Sequence, residues 1–270
     1  MPTLPPQTRM GAVHLTVADL ERSLDYYRGS IGLSVLDEAA GGATLGVGAT
    51  PLLHLAELPG ATPVHGSSGL FHFALLVPER ADLAHWLAHA VRDQVSLTGA
   101  SDHFVSEALY LRDPDQHGIE IYRDRPRELW EGKVQRMGSW PLDVDDLLRL
   151  SDGEGTRYEG LPAGTTMGHV HLRVSDVDET IAFYRGVLGF DLMAQLGPEA
   201  AFLSAGGYHH HLGGNTWESR GSGQAPPGSA TLQHYTIVLP DAASRDEVAG
   251  RIGGERVEDP SGNTLVLAAA

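Results

Sequence analysis

The sequence predicts an α+β fold built from four βαβββ modules, because the chain repeats itself and each repeat opens on a short alternating run followed by a helical one. GAVHLTVADLERSLDYYRGSIGL, from Gly11, lies over GHVHLRVSDVDETIAFYRGVLGF, from Gly168, without a gap. Val13/Val170, His14/His171, Asp19/Asp176, Tyr27/Tyr184 and Gly32/Gly189 are among the identities, and the same offset pairs His54 with His211 and Leu55 with Leu212. A second pair keeps the order: HFALLVPE from His72 matches HYTIVLPD from His234, and DPDQHGIEI from Asp113 matches DPSGNTLVL from Asp259. The modules therefore begin near Gly11, Gly69, Gly168 and Leu232.

Within a module the elements follow from the residues. VHLTV and HFALLV read as half-buried strands, since alternate side chains of a strand face opposite sides. In module one Asp19 can cap LERSLDYYRGSIG, whose Leu20, Leu24, Tyr27 and Ile31 fall at helical spacing, and Gly32 stops it. Asp176 plays the same part for VDETIAFYRGVLG in module three. Short strands come next, TLGVG and PLLHLAE in module one, SEALYLRD and GIEIYRD in module two, with Asp-Pro turns between some of them. The chain divides into an N-terminal half, residues 1–125, a connecting segment, 126–166, and a C-terminal half, 167–270. The connection is rich in Pro and Gly around one amphipathic stretch, LDVDDLLRL. NTWESRGSGQAPPGSA, from Asn215, reads as a surface loop between modules three and four in preference to a lid on a pocket.

The 270 residues carry 19 Lys+Arg against 35 Asp+Glu, a formal net charge of −16, which argues against a partner as acidic as nucleic acid or an anionic membrane surface. No apolar run approaches the roughly 18 residues of a membrane span, and MPTLPPQTRM lacks the apolar core of a signal peptide, so a soluble, cytoplasmic protein is expected. The chain has no cysteine, which excludes disulfides, thiolate metal sites and a cysteine nucleophile. Any metal must sit on histidine and carboxylate, and there are 14 histidines.

The four modules, the helix text DYYRGSIGL and AFYRGVLGF, and the ending DPDQHGIEIYRDRP together resemble the vicinal oxygen chelate superfamily, which includes glyoxalase I, extradiol dioxygenases and bleomycin-binding proteins. HFVSEALYLRDPDQHGIEIYRDRPRELW, MGHVHLRVSDV and AGGYHHHLGGNTW resemble more narrowly the two-domain catechol 2,3-dioxygenase family. The resemblance implies modules paired into curved, incomplete barrels. It also implies a metal held by two first-strand histidines and one last-strand glutamate, a small aromatic diol and O2 as substrates, and a homo-oligomer.

Tested position by position, the first-strand ligand site falls on Ala12, His72, His169 and His234 in modules one to four, and the last-strand site on Glu120 in module two and Val266 in module four. Modules one and two together lack a histidine, and modules three and four lack the carboxylate. Only modules two and three supply His72, His169 and Glu120, so the working barrel is expected to span the sequence halves, leaving modules one and four a pocket without a metal. Two histidines and a carboxylate leave one face of a ferrous ion open. Fe(II) is the expected metal, with Mn(II), Zn(II) or Ni(II) as alternatives. His14, His171 and His234 read as wall or packing residues.

Cleavage of a diol ring also needs an acid-base group, and histidine suits it by its pKa near neutrality. The resemblance points to His210 within Tyr208-His209-His210-His211-Leu212, which reads as the last strand of module three with His209 and His211 on one face and His210 on the other. It further implies Tyr110 as a substrate-bonding phenol and His103 as a pocket histidine. Trp217 and Phe104 are candidates for ring contacts or for packing. His85 and His89, four apart on ADLAHWLAHAV, read as a solvated helix edge, and His65 and His117 lie in turn-rich segments. Two other classes share this fold: a glyoxalase I-like lyase or isomerase, with His209 or His211 as a fourth ligand, and a metal-free binding protein.

Overall fold

The computed structural model describes residues 2–151 and 157–270, so residues 152–156 of the connecting segment lie outside the described residues. Module one runs β1 (Arg9–Val17), α1 (Leu20–Tyr26), β2 (Ser34–Ala39), β3 (Gly42–Val47) and β4 (Thr50–Glu57), followed by a two-residue β5 (Thr62–Pro63). Module two is β6 (Gly69–Leu76), α2 (Arg80–Arg92), β7 (Gly99–Asp102), β8 (Ser106–Arg112) and β9 (Gly118–Asp124). The connection forms α3 (Arg127–Trp130), a short β10 (Trp140–Pro141) and α4 (Val144–Leu148). Module three is β11 (Thr166–Arg173), α5 (Val177–Ile181), β12 (Asp191–Leu196), β13 (Ala200–Ser204) and β14 (Leu212–Asn215). After β15 (Ser229–Ala230), module four keeps β16 (Leu232–Leu239) and α6 (Ala242–Ile252) but ends in two strands, β17 (Arg256–Glu258) and β18 (Thr264–Ala269).

The helix signals act as expected. Asp19 accepts from the Arg22 N–H at 3.0 Å and Asp176 from the Glu179 N–H at 2.9 Å, each satisfying a donor that a helix start leaves orphaned. Both helices finish in a wider, π-type turn, Tyr27–Ile31 and Ala182–Leu188, closed by Gly32 at φ 91° and Gly189 at φ 99°. Those turns carry Tyr27 and Tyr184 into the core, where each hydroxyl meets the aspartate of an Asp-Pro turn: Asp113 at 2.8 Å and Asp259 at 3.0 Å. The other oxygen of each carboxylate accepts two backbone N–H groups of its own turn. The repeated Asp-Pro text is thus a structural anchor, linking module one to two and module three to four.

None of the three sheets, the smallest being the β15-β5 pair, is built from one sequence half. Modules two and three, with β10 of the connection at one edge, form a nine-stranded sheet, β10-β7-β8-β9-β6-β11-β14-β13-β12, and modules four and one a seven-stranded sheet, β17-β18-β16-β1-β4-β3-β2. At each centre the first strands of two modules pair antiparallel, β6 with β11 and β1 with β16. Strand alternation then sorts side chains. Phe73, Leu75, Val170, Leu172, Val13 and Leu15 bury completely in one shared apolar core, and the histidines face the other way, into the hollow of each sheet.

Two sequence expectations need correction. His89 is not on a solvated edge: it is buried, stacks on Tyr158 at 4.1 Å and bonds the Ser30 carbonyl at 3.2 Å, while His85 is half-buried. The gapless offset also fails beyond the helices. Val13 pairs with Leu53 and Val170 with Leu212, so His54 corresponds to Gly213, not to His211. The physical cause is the turn before β14, which is longer than that before β4 and shifts the later strand.

The shift leaves an unbroken cross-strand row on the second sheet, His54–His14–His234, with stacked rings 4.0 and 3.8 Å apart. Burial first, then the neighbouring histidines, push His14 from the ordinary 6.5 down to about 3; burial, Arg256 and His54 push His234 to about 4. The folded row therefore refuses protons that the unfolded chain accepts below about 6.5, so its contribution is complete above that pH and is lost as pH falls toward 4. Melting temperature measured from about pH 7.5 to pH 4.5 should fall less steeply for His14→Leu than for the unsubstituted chain.

Candidate active site

The hollow of the nine-stranded sheet holds two cross-strand rows. In the first, Tyr110 on β8 stands opposite Glu120 on β9, Glu120 opposite Ala74 on β6, and Ala74 opposite His169 on β11. In the second, His72 faces His171, and His171 faces Gly213 on β14. Ala74 is small, so the space above it is left to the larger side chains around it. Into that space converge His72 Nε2 and His169 Nε2, each 3.0–3.1 Å from Glu120 Oε2 and 3.4 Å from each other.

These three are the one group of potential metal donors found among the described residues, and all are buried. Three donors about 2.1 Å from a single ion and at right angles to one another stand about 3.0 Å apart, which is close to the observed spacing. The set therefore fits one divalent ion on one face. Burial works to raise the Glu120 carboxyl, but His169 and His72 outweigh it and hold the group well below the usual carboxylate range. Burial lowers His169 in spite of the carboxylate, so the ring is a neutral donor. Both directions favour metal binding.

Gly168 makes this arrangement possible. A Cβ there would lie 1.8 Å from the Tyr122 hydroxyl, which is bonded to Tyr208 at 2.8 Å. Tyr122 crosses beneath β11 next to the bulge between Met167 and His169, so a side chain at 168 would lift the strand that carries His169.

A cavity of about 480 Å³ opens over the donors, walled by Phe71, His171, Phe202 and Trp217 on one side and by Tyr110 and His103 on another. Such a size accepts a small aromatic molecule. The Tyr110 hydroxyl lies 2.6 Å from His103 Nε2, and His103 Nδ1 lies 2.6 Å from the Gly138 carbonyl. A carbonyl only accepts, so Nδ1 bears the hydrogen, Nε2 is bare, and the tyrosine donates to it. Burial and the Glu120 charge raise Tyr110 well above its ordinary value and keep it a phenol.

The histidine triplet departs from its expected place. His209–His211 precede β14 instead of belonging to it, because the turn out of β13 passes through Gly206 and Gly207 at positive φ before the strand begins at Leu212. Strand alternation therefore does not sort them. All three are buried; His210 lines the cavity with its ring 4.1 Å from that of His169. His211 turns to Ser204 at 2.9 Å and His209 to Asp124 at 2.8 Å, so neither joins the donor group.

Phe104 is a packing residue, not a cavity residue: it sits in the cluster of Val105, Trp130 and Val134, under the Arg136 guanidinium at 4.4 Å. Trp217 does reach the cavity, its ring 5.3 Å from Phe71 and 5.6 Å from His171, so the loop after Asn215 contributes a wall instead of only a surface. Met137–Ser139 of the connecting segment also line it, and Gly138 orients His103. No sequence signal pointed to this segment, because its contribution is a backbone carbonyl.

A family model described as the Glyoxalase/Bleomycin resistance protein/Dioxygenase superfamily matches residues 9–121 and 166–245. The chain is 42% identical over 259 residues to a catechol-2,3-dioxygenase of Bacillus subtilis (strain 168), covering 93% of this chain and 90% of that protein. Among solved structures, a protein of Bacillus subtilis subsp. subtilis str. 168 aligns with a TM-score of 0.69 at 15% identity, over 100% of this chain and 86% of that one. Glyoxalase I from Zea mays aligns at 0.57 and 18% identity, over 97% and 92%. At those identities the two structures speak for the fold alone.

Gly168→Ala should cost about 1–3 kcal/mol of stability through overpacking and weaken metal retention. Tyr122→Phe in the same background should restore part of both, so that the double variant costs less than the sum of the single ones. Thermal melts and metal content after dialysis check this.

Proposed function

The chain belongs to the glyoxalase/bleomycin resistance protein/dioxygenase superfamily and, by its likeness to a catechol-2,3-dioxygenase over nearly its whole length, is an extradiol-type dioxygenase; from that premise we propose that Fe(II) is its metal and catechol or a substituted catechol the substrate it opens with O2. The observation that carries this reading is the convergence of His72, His169 and Glu120 at the floor of a largely apolar, aromatic-walled cavity, flanked by His210 on one side and the Tyr110–His103 pair on the other.

His72, His169 and Glu120 would hold the ion. A ferrous ion held there would supply the redox chemistry that lets an electron-rich diol react with O2. One carboxylate against a dication leaves a net positive centre, which favours a diol bound as an anion. Binding so requires a base for the diol proton. His210 is placed to take it, since its ring lines the cavity beside His169, and burial and then His169 and His209 hold it below its ordinary value, so that it stands neutral before substrate binds. The same histidine can return that proton to a substrate oxygen later in the reaction. Tyr110, a phenol with a mobile hydrogen, stands on the opposite flank as a donor to substrate oxygen, and His103 holds its hydrogen in the meantime. Phe71, Phe202 and Trp217 wall the cavity with apolar rings that a bound diol would pack against, and displacement of water by the diol would strengthen the polar contacts inside.

A glyoxalase I-like reaction would draw on a fourth protein ligand. His209 and His211, the residues in position to supply it, are held by Asp124 and Ser204.

Anaerobic reconstitution with Fe(II), followed by oxygen uptake on catechol and substituted catechols, should give a yellow ring-fission product. Glu120→Ala should abolish both iron retention and product, whereas His210→Asn should keep the iron and lose about 10²-fold or more in kcat. Iron retained without oxygen uptake on any diol would sink the reading.

A further inference from the structure

Behind His210, on the side away from the cavity, lies a second histidine and then a carboxylate. His210 Nδ1 is 2.8 Å from His209 Nδ1, and His209 Nε2 is 2.8 Å from Asp124 Oδ1. His209 is fully buried, with Tyr208 against it at 4.0 Å between ring centroids and Trp130 at 5.5 Å. Asp124 ends β9, four residues after Glu120, and its side chain is 24% exposed.

The proton count along this chain has one solution when both rings are neutral. A carboxylate only accepts, so the hydrogen of His209 is on Nε2. A neutral imidazole has one N–H, which leaves His209 Nδ1 bare and able only to accept. His210 must then donate from Nδ1, and its own Nε2 carries the free lone pair. No described protein group bonds that Nε2, and His210 is one of the residues lining the cavity.

We propose that Asp124 and His209 are positioning residues that lock His210 in the tautomer whose unprotonated Nε2 faces the cavity. This rests on reading His210 as the acid-base group of the dioxygenase. Without Asp124 the pair can reverse: His209 Nδ1 becomes the donor, His210 Nδ1 the acceptor, and the cavity then sees an N–H that cannot take the diol proton. The carboxylate also carries the restraint from a rigid strand, β9, to a turn that has no ladder of its own. One strand thereby sets both the ligand Glu120 and the protonation pattern of the base.

The test uses the full chain. In Zn(II)-loaded protein labelled with ¹³C and ¹⁵N histidine, at about pH 8, the His210 ring should show the Nδ1–H pattern, identified by its absence from His210→Asn. Asp124→Ala should move that signal to the Nε2–H pattern. In the iron-loaded enzyme the same variant should lose about 10²-fold in kcat, with KM and iron content changed less than about twofold, and Asp124→Glu should recover part of the rate. An Nε2–H pattern for His210 in the unsubstituted protein overturns the proposal without any variant having to fold, and so does an Asp124→Ala spectrum that keeps the Nδ1–H pattern. A protein that shows the tautomer switch yet consumes no oxygen with any diol would overturn the dioxygenase reading and leave the hydrogen-bond assignment standing.

Discussion

The candidate centre depends on the antiparallel pairing of β6 with β11, which sets His72 against His171 and His169 against Ala74. A slip of one residue by either strand would turn its donor histidine, His72 or His169, into the core and bring Phe73 or Val170 into the cavity. The opposite face prevents this. Phe73, Leu75, Val170 and Leu172 are completely buried, and each such side chain is worth roughly 1.5–3 kcal/mol when removed from water. Apolar burial on one face of the sheet thus holds in place, on the other, a cluster of dehydrated imidazoles and a carboxylate that would not assemble by itself.

The repeat keeps its scaffold twice and, among the described residues, its group of potential metal donors once. Both halves retain the capped helix, the wide last turn, and a tyrosine seated on the aspartate of an Asp-Pro turn. On the second sheet His234 pairs with His14 as His72 pairs with His171. Thr236 and Val266, however, pair where Ala74 and Glu120 do in the first, and Ala12 takes the register of His169. With the carboxylate and one imidazole gone, the remaining histidines stack on a third from β4, an arrangement suited to neutral rings and not to a cation.

The extra length before β14 has the opposite effect on the first sheet. It places Gly213 beside His171, where a Cβ would meet the imidazole at 2.8 Å, and so keeps that flank of the cavity open. The residues displaced into the turn are the histidines that close over His169. A single lengthening therefore both clears a wall and delivers the polar group that faces the donors.

What the sequence by itself determined is what local text and repetition encode: four modules, their helix caps, and the strand registers of His72, His169 and Glu120. These were legible because capping and strand alternation act within a few residues. Tertiary structure decided the rest. His89 turned inward because Tyr158, far along the chain, covers it; Phe104 left the cavity for Trp130 and Arg136; Gly138 oriented His103 with a carbonyl that every residue possesses. The choice among His209, His210 and His211 fell to Asp124 and Ser204, partners brought to the turn by the folding of separate strands. Which nitrogen of a histidine bears the proton follows from its neighbours in space, and those neighbours exist only once the sheets have closed.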